Sequence, residues 1–132
     1  MFPLTFSFHD SEVKHIRQEG HGVRVVFSAA RVQSAAQVPN AFDGYALGLE
    51  FQLIGTIGAP PPLNFFGRLS EGRLSVGGPA SSSLVLPSLP FEWTGQTTLE
   101  LAFSQEGRWS ATALKVRLDW VDEERFLEAK GC

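Results

Sequence analysis

From Tyr45 to Ile57 the chain reads YALGLEFQLIGTI, with Tyr45, Leu47, Leu49, Phe51, Leu53 and Ile57 on one parity and only Gly55 interrupting them. Successive side chains of a strand point to opposite faces, so a period of two sustained this long predicts a half-buried β-strand and not a helix. Glu50, Gln52 and Thr56 occupy the other parity, as the solvated face of such a strand requires. A second run repeats the pattern: Val23, Val25, Phe27 and Ala29 alternate with Arg24, Val26, Ser28 and Ala30, behind Gly20 and Gly22.

Two further pairs of runs read as hairpins. Leu63, Phe65, Gly67 and Leu69 alternate with Asn64, Phe66, Arg68 and Ser70, and Glu71-Gly72 then precedes Leu74 and Val76. Thr97, Leu99, Leu101 and Phe103 lead through Gln105-Glu106-Gly107 into a long return toward Trp120. Glycine supplies the positive φ that tight turns need. On the return strand Leu114, Val116, Leu118 and Trp120 share a face, but Trp109 lies off that parity with Ala111 and Ala113. The switch predicts a bulge near Ala111 to Ala113 or a Trp109 placed on the outer face.

Other segments are not strand-like. Pro60-Pro61-Pro62 cannot donate ladder hydrogen bonds and reads as a connection at a sheet end. Gly77 to Ser83 is a flexible link before Leu84-Val85-Leu86. Residues 31–42 fit either a short helical turn or a loop stopped by Pro39. Asp122, Glu123 and Glu124 would suit the first turn of a short C-terminal helix docking through Phe126 or Leu127. The whole predicts one all-β domain over residues 1–132. Its architecture is an antiparallel sandwich or barrel of about seven to eight strands with a short C-terminal helix.

Charge and cysteine content narrow the function. Eleven basic residues against fourteen acidic ones give a net charge of −3, without the electropositive footprint that nucleic-acid binding needs. The single cysteine, Cys132, allows neither an intrachain disulfide nor a CxxC pair. The start MFPLTFSFHDSEV lacks a signal-peptide pattern, and no stretch approaches the roughly 18 apolar residues of a membrane helix. These features predict a soluble cytoplasmic protein with no membrane partner and no cofactor.

The polar stretch Phe8 to His15, FHDSEVKH, is the densest cluster of chemically capable side chains. A Ser-His-Asp triad fits poorly, because adjacent residues on an extended chain cannot place one imidazole between hydroxyl and carboxylate. A metal site on His9, Asp10 and Glu12 is an alternative, although zinc needs three or four converging ligands. The favoured reading is a polar corner between strands, with Asp10 and Ser11 bonding backbone groups. A bulge or tight turn there would let Val13 and Ile16, three apart, both reach the core.

Aromatic residues suggest a different kind of site. Phe65-Phe66 places rings on both faces of one strand, Trp93 sits between Glu92 and Thr94, and Trp109 is off parity. Phe66, Trp93 and Trp109 are therefore candidates for a binding patch, against the plainer reading of a two-sided core. The arginines spread over the strands read as a solvated face with edge protection.

The form F-H-D-S-x-V at residues 8–13, the Glu-Gly turns and the closing Glu124-Arg125-Phe126-Leu127-Glu128 together resemble small bacterial all-β proteins. Some of these look like immunity proteins of contact-dependent toxin systems. The resemblance covers about a fifth of the chain and implies no catalytic residues. It implies a non-enzymatic interaction protein, acting on an unknown protein partner or by self-association, a homodimer included. The alternatives are a barrel holding a small apolar ligand and, after it, a metal-dependent enzyme built on His9, Asp10 and Glu12.

Overall fold

The computed structural model describes residues 4–34, 42–86, 89–105 and 107–128. Among them are seven strands: β1 (Leu4–Glu19), β2 (Gly22–Ser34), β3 (Asp43–Ile57), β4 (Gly67–Val76), β5 (Ser83–Val85), β6 (Phe91–Phe103) and β7 (Gly107–Glu128). Every pairing is antiparallel. β1 pairs with β2 on one side and with β4 on the other, so the order β1-β2-β3-β7-β6-β4 returns to its start as a ring. The short β5 pairs with Thr5 to Ser7 of β1, on the same side as β4. One sheet closed on itself leaves fewer exposed edges than a sandwich would.

The ring is filled from within by side chains. Phe6, Phe8, Phe27 and Phe51 are fully buried and meet at ring centroid distances of 4.8–5.9 Å. All but the stacked Phe8–Phe51 pair are edge-on, the arrangement ring quadrupoles favour by about 0.5–1.5 kcal/mol per pair beyond simple burial. Phe8 lies against β4, where a side chain at Gly72 would come within 2.8 Å of it. Gly72 is thus needed for close approach of ring to backbone.

That role explains why Glu71-Gly72 is not the turn of a hairpin. β4 runs straight through it, with a one-residue bulge against β6 between Leu69 and Glu71. The connection from β3 to β4 joins strands on opposite sides of the ring and so crosses one of its ends. Pro60-Pro61-Pro62 lies in this crossing. Trp109 Nε1 donates to the Pro62 carbonyl at 2.7 Å, and Phe65 packs on Phe103 at 5.4 Å.

Three expectations need correction. Trp109 is 2% exposed and points inward with Ala111 and Ala113, so the outer-face alternative fails; the bulge alternative holds, with the irregularity just after Ala113, where β6 and β7 shift register opposite Ala113 to Lys115. On β3 the inward residues are Ala46, Leu49, Phe51 and Leu53, because the left-handed backbone at Gly48, φ +86°, opposite an irregularity in β7, switches parity and turns Tyr45 and Leu47 outward. There is no C-terminal helix among the described residues. β7 continues to Glu128 because the edge of β3 is available to it: Ala46 pairs with Phe126 and Gly44 with Glu128. Phe126 is then gripped edge-on by Phe42 and Trp120 at 5.6 and 5.5 Å. Part of the ambiguous 31–42 segment is strand, since β2 extends to Ser34, and residues 35–41 lie outside the described residues. No helix of the described residues is long and apolar enough to cross a membrane.

Candidate binding face

The stretch FHDSEVKH lies within β1, which is continuous across it. Between Ser7 and Glu12 β1 advances five residues while its partner β2 advances two, from Arg31 to Ala29. Asp10 takes a left-handed φ of +67° to accommodate the excess, and an aspartate tolerates this better than most residues. The bulge separates backbone groups that would otherwise pair. Ser11, fully buried, replaces the missing bonds: its hydroxyl donates to the Ser7 carbonyl at 2.7 Å and accepts the Arg31 N–H at 2.8 Å. Local side-chain to backbone bonding was the right kind of role for Ser11, but its donor comes from the neighbouring strand.

The same bulge turns His9 and Asp10 toward β4. Backbone pairing of β1 with β4 is confined to Glu12–Arg68 and Val13–Gly67. His9 Nδ1 donates to the Ser70 carbonyl at 2.9 Å, so that nitrogen carries the proton. Asp10 lies 3.7 Å from Arg68 and from His9 Nε2. Glu12 turns the other way and accepts the Ser28 hydroxyl at 2.7 Å. His9 and Asp10 are brought together, Glu12 is not, and no metal-binding group of three or more His, Cys, Asp or Glu occurs among the described residues. The observed contacts of His9 and Asp10 are those of a clasp across the narrowest seam of the ring.

The three aromatic candidates do not form one patch. Trp109 is interior. Phe66 is 61% exposed beside the start of β4. Trp93, half-buried and edge-on to Phe91 at 4.7 Å, lies ten residues along β6 from Phe103, roughly 30 Å of strand. Since Phe103 pairs with Leu69 near Phe66, Trp93 and Phe66 stand toward opposite ends of the molecule.

A different face gathers more chemistry. β7 carries a bulge matching that of β1, advancing five residues from Trp120 to Arg125 while β3 advances two. Between the two bulges, on the outer side of β2 and β3, runs a groove of about 370 Å³. Val26, Ser28, Leu47 and Gly48 line it on β2 and β3, Lys14 on β1, and Val121, Asp122 and Arg125 on β7. A second groove of about 280 Å³ lies further along the same strands, bordered by Glu19, His21, Arg24, Gln52 and Ile54.

A polar row separates the grooves. His15, Val26 and Glu50 are cross-strand neighbours on β1, β2 and β3. Glu50 alternates with the inward Leu49 and Phe51 and so belongs to the outer face, yet it is only 2% exposed. Its Oε1 receives Gln52 Nε2 at 2.7 Å and lies 3.4 Å from Arg24 Nη1. Glu50 Oε2, Arg24 Nε and His15 Nε2 are buried with no hydrogen-bond partner in the protein. Burial holds the His15 pKa below the ordinary histidine value, Arg17 and Lys14 push it the same way, and Glu50 opposes them. Each unpaired buried polar atom costs on the order of 1–3 kcal/mol, and such departures from good packing concentrate at functional sites.

This face offers an aliphatic floor, cations on both walls and a sunken carboxylate, a surface suited to non-covalent recognition. No family model, curated protein or solved structure matches the chain. None of Lys14, Val26, Leu47, Val121 or Arg125 was singled out from sequence. Glu50 reads from sequence as part of the solvated parity of its strand, and its burial comes only from the neighbouring strands.

Proposed function

We propose that this chain is a binding protein that engages another protein on the outer face of β1, β2, β3 and β7. The observation that carries this reading is the row His15–Val26–Glu50, sunk with Arg24 into an outer face between two grooves. Unsatisfied polar atoms at such a position are a local expense of the kind that functional faces carry. The resemblance of the chain's ends to immunity-like proteins fits a partner of this kind, with a toxin as the protein neutralised. A small apolar ligand inside the ring is less well supported, because four phenylalanine rings already meet there.

Site-specific photo-cross-linking in the native host tests the proposal. A benzophenone side chain at Leu47 should yield an adduct with a protein of one discrete mass. The same group at Arg73, on β4 across the ring, should yield none. Equal adducts at both positions, or an adduct only at Arg73, would refute it.

A further inference from the structure

The edge of β7 points to the form such a partner takes. β6 ends its pairing with β7 at Phe91–Leu118, whereas β3 holds the other edge of β7 as far as Glu128. From Asp119 onward, therefore, one edge of β7 has no strand beside it among the described residues. Where β6 stops, the Trp120 N–H is taken at 2.8 Å by the side chain of its own neighbour Asp119. A side chain there stands in for a strand.

Proteins normally blunt such an edge with lysine, proline or a covering loop, because unpaired N–H and C=O groups accept an added strand. The bulge is one such device, but the charges on this edge are acidic. Residues 121–128 carry four acids and one arginine, a net charge of −3, which equals the net charge of the entire chain. Val121 and Leu127 stand 45% and 56% exposed on the same segment, apolar contacts that a pairing strand could cover.

From the open edge and its charge we infer that β7 takes an extended, lysine- or arginine-rich segment of its protein partner by strand addition along residues 119–128. Main-chain hydrogen bonds would supply affinity and the acids would select for basic side chains. A second copy of this chain is disfavoured, since antiparallel self-pairing would bring two segments of like net negative charge together. This inference rests on the reading of the β7 side as part of a binding face, and names the partner's chemistry.

The test uses the intact chain, isotopically labelled, and two synthetic decapeptides of alternating Lys-Val and alternating Glu-Val. The Lys-Val peptide should shift the amide resonances of residues 119–128 and slow their hydrogen exchange at least tenfold. Its affinity should fall at least tenfold between 50 and 500 mM salt, and the Glu-Val peptide should do neither. In the quadruple variant D122K/E123K/E124K/E128K, checked for retained fold by circular dichroism, the preference should reverse. Absence of any shift, equal response to both peptides, or shifts spread over β4 and β6 would overturn the inference. The cross-link at Leu47 would survive that failure if the wider proposal holds, so the two can fail separately.

Discussion

Strands β1 and β7 each carry three residues in excess of their neighbours, over Ser7–Glu12 and Trp120–Arg125, yet the two bulges end differently. The first is sewn shut: Ser11 is fully buried and bonds Ser7 of its own strand and Arg31 of β2, His9 reaches β4, and Phe8 beside it fills the ring. The second stays open, with Val121 to Glu124 exposed and no described strand on one edge. The residues at the bulge decide the outcome. A hydroxyl small enough to be buried and satisfied closes the first, whereas consecutive acids cannot be buried unpaired and keep the second in water.

If the β1 bulge is closed by packing, removing its packing should do the greatest damage. Phe8→Ala empties space beside the Phe6 and Phe51 rings and should cost about 3–5 kcal/mol in a denaturant titration, with the midpoint falling accordingly. A loss below about 1 kcal/mol would mean that the ring interior is not organised around Phe8.

Ser11→Ala sharpens the contrast more finely. It leaves the Arg31 N–H and the Ser7 carbonyl buried without partners and should cost about 1–3 kcal/mol. Exchange of exposed Glu123 for serine in the β7 bulge, measured in the same titration, should leave the midpoint unchanged. Equal effects at the two sites would dissolve the distinction between a closed and an open bulge.

The smallest expected effect is a pH dependence along the row joining the two halves of the binding face. The His15 pKa is lower in the folded protein than in the unfolded chain, so between those two values the unfolded state binds more protons. Stability must then rise with pH through the histidine range and fall as the pH drops below the unfolded value. His15→Gln should flatten that slope in thermal melts between pH 5 and pH 8, reading roughly the range in which a histidine titrates. An unchanged slope would assign it to other groups.

Much of the fold was legible in sequence because alternation is local. The strand over Asp43–Ile57, the hairpin turns at Gly20 and Gly107 and the long return to Trp120 all follow from it. Errors arose where an irregular backbone broke the period: at Gly48, which reversed the faces of Tyr45 and Leu47, and before Val116, which left Trp109 off the parity of Val116 and Leu118. The acids after Val121 resembled a helix start because nothing local announces that β3 offers them an edge. The candidate face was invisible for the same reason, since Lys14, Val26, Leu47 and Val121 come from four strands. Only the pairing register, a property of distant residues, brings them together.

Residue-resolved hydrogen exchange on the intact protein tests the contrast between the bulges most directly. The Arg31 amide should be strongly protected in the native chain and lose that protection in Ser11→Ala, while the amides of Val121 to Glu124 exchange fast in both. Fast exchange at Arg31 in the native chain, or strong protection across Val121 to Glu124 in the absence of a partner, would contradict the account.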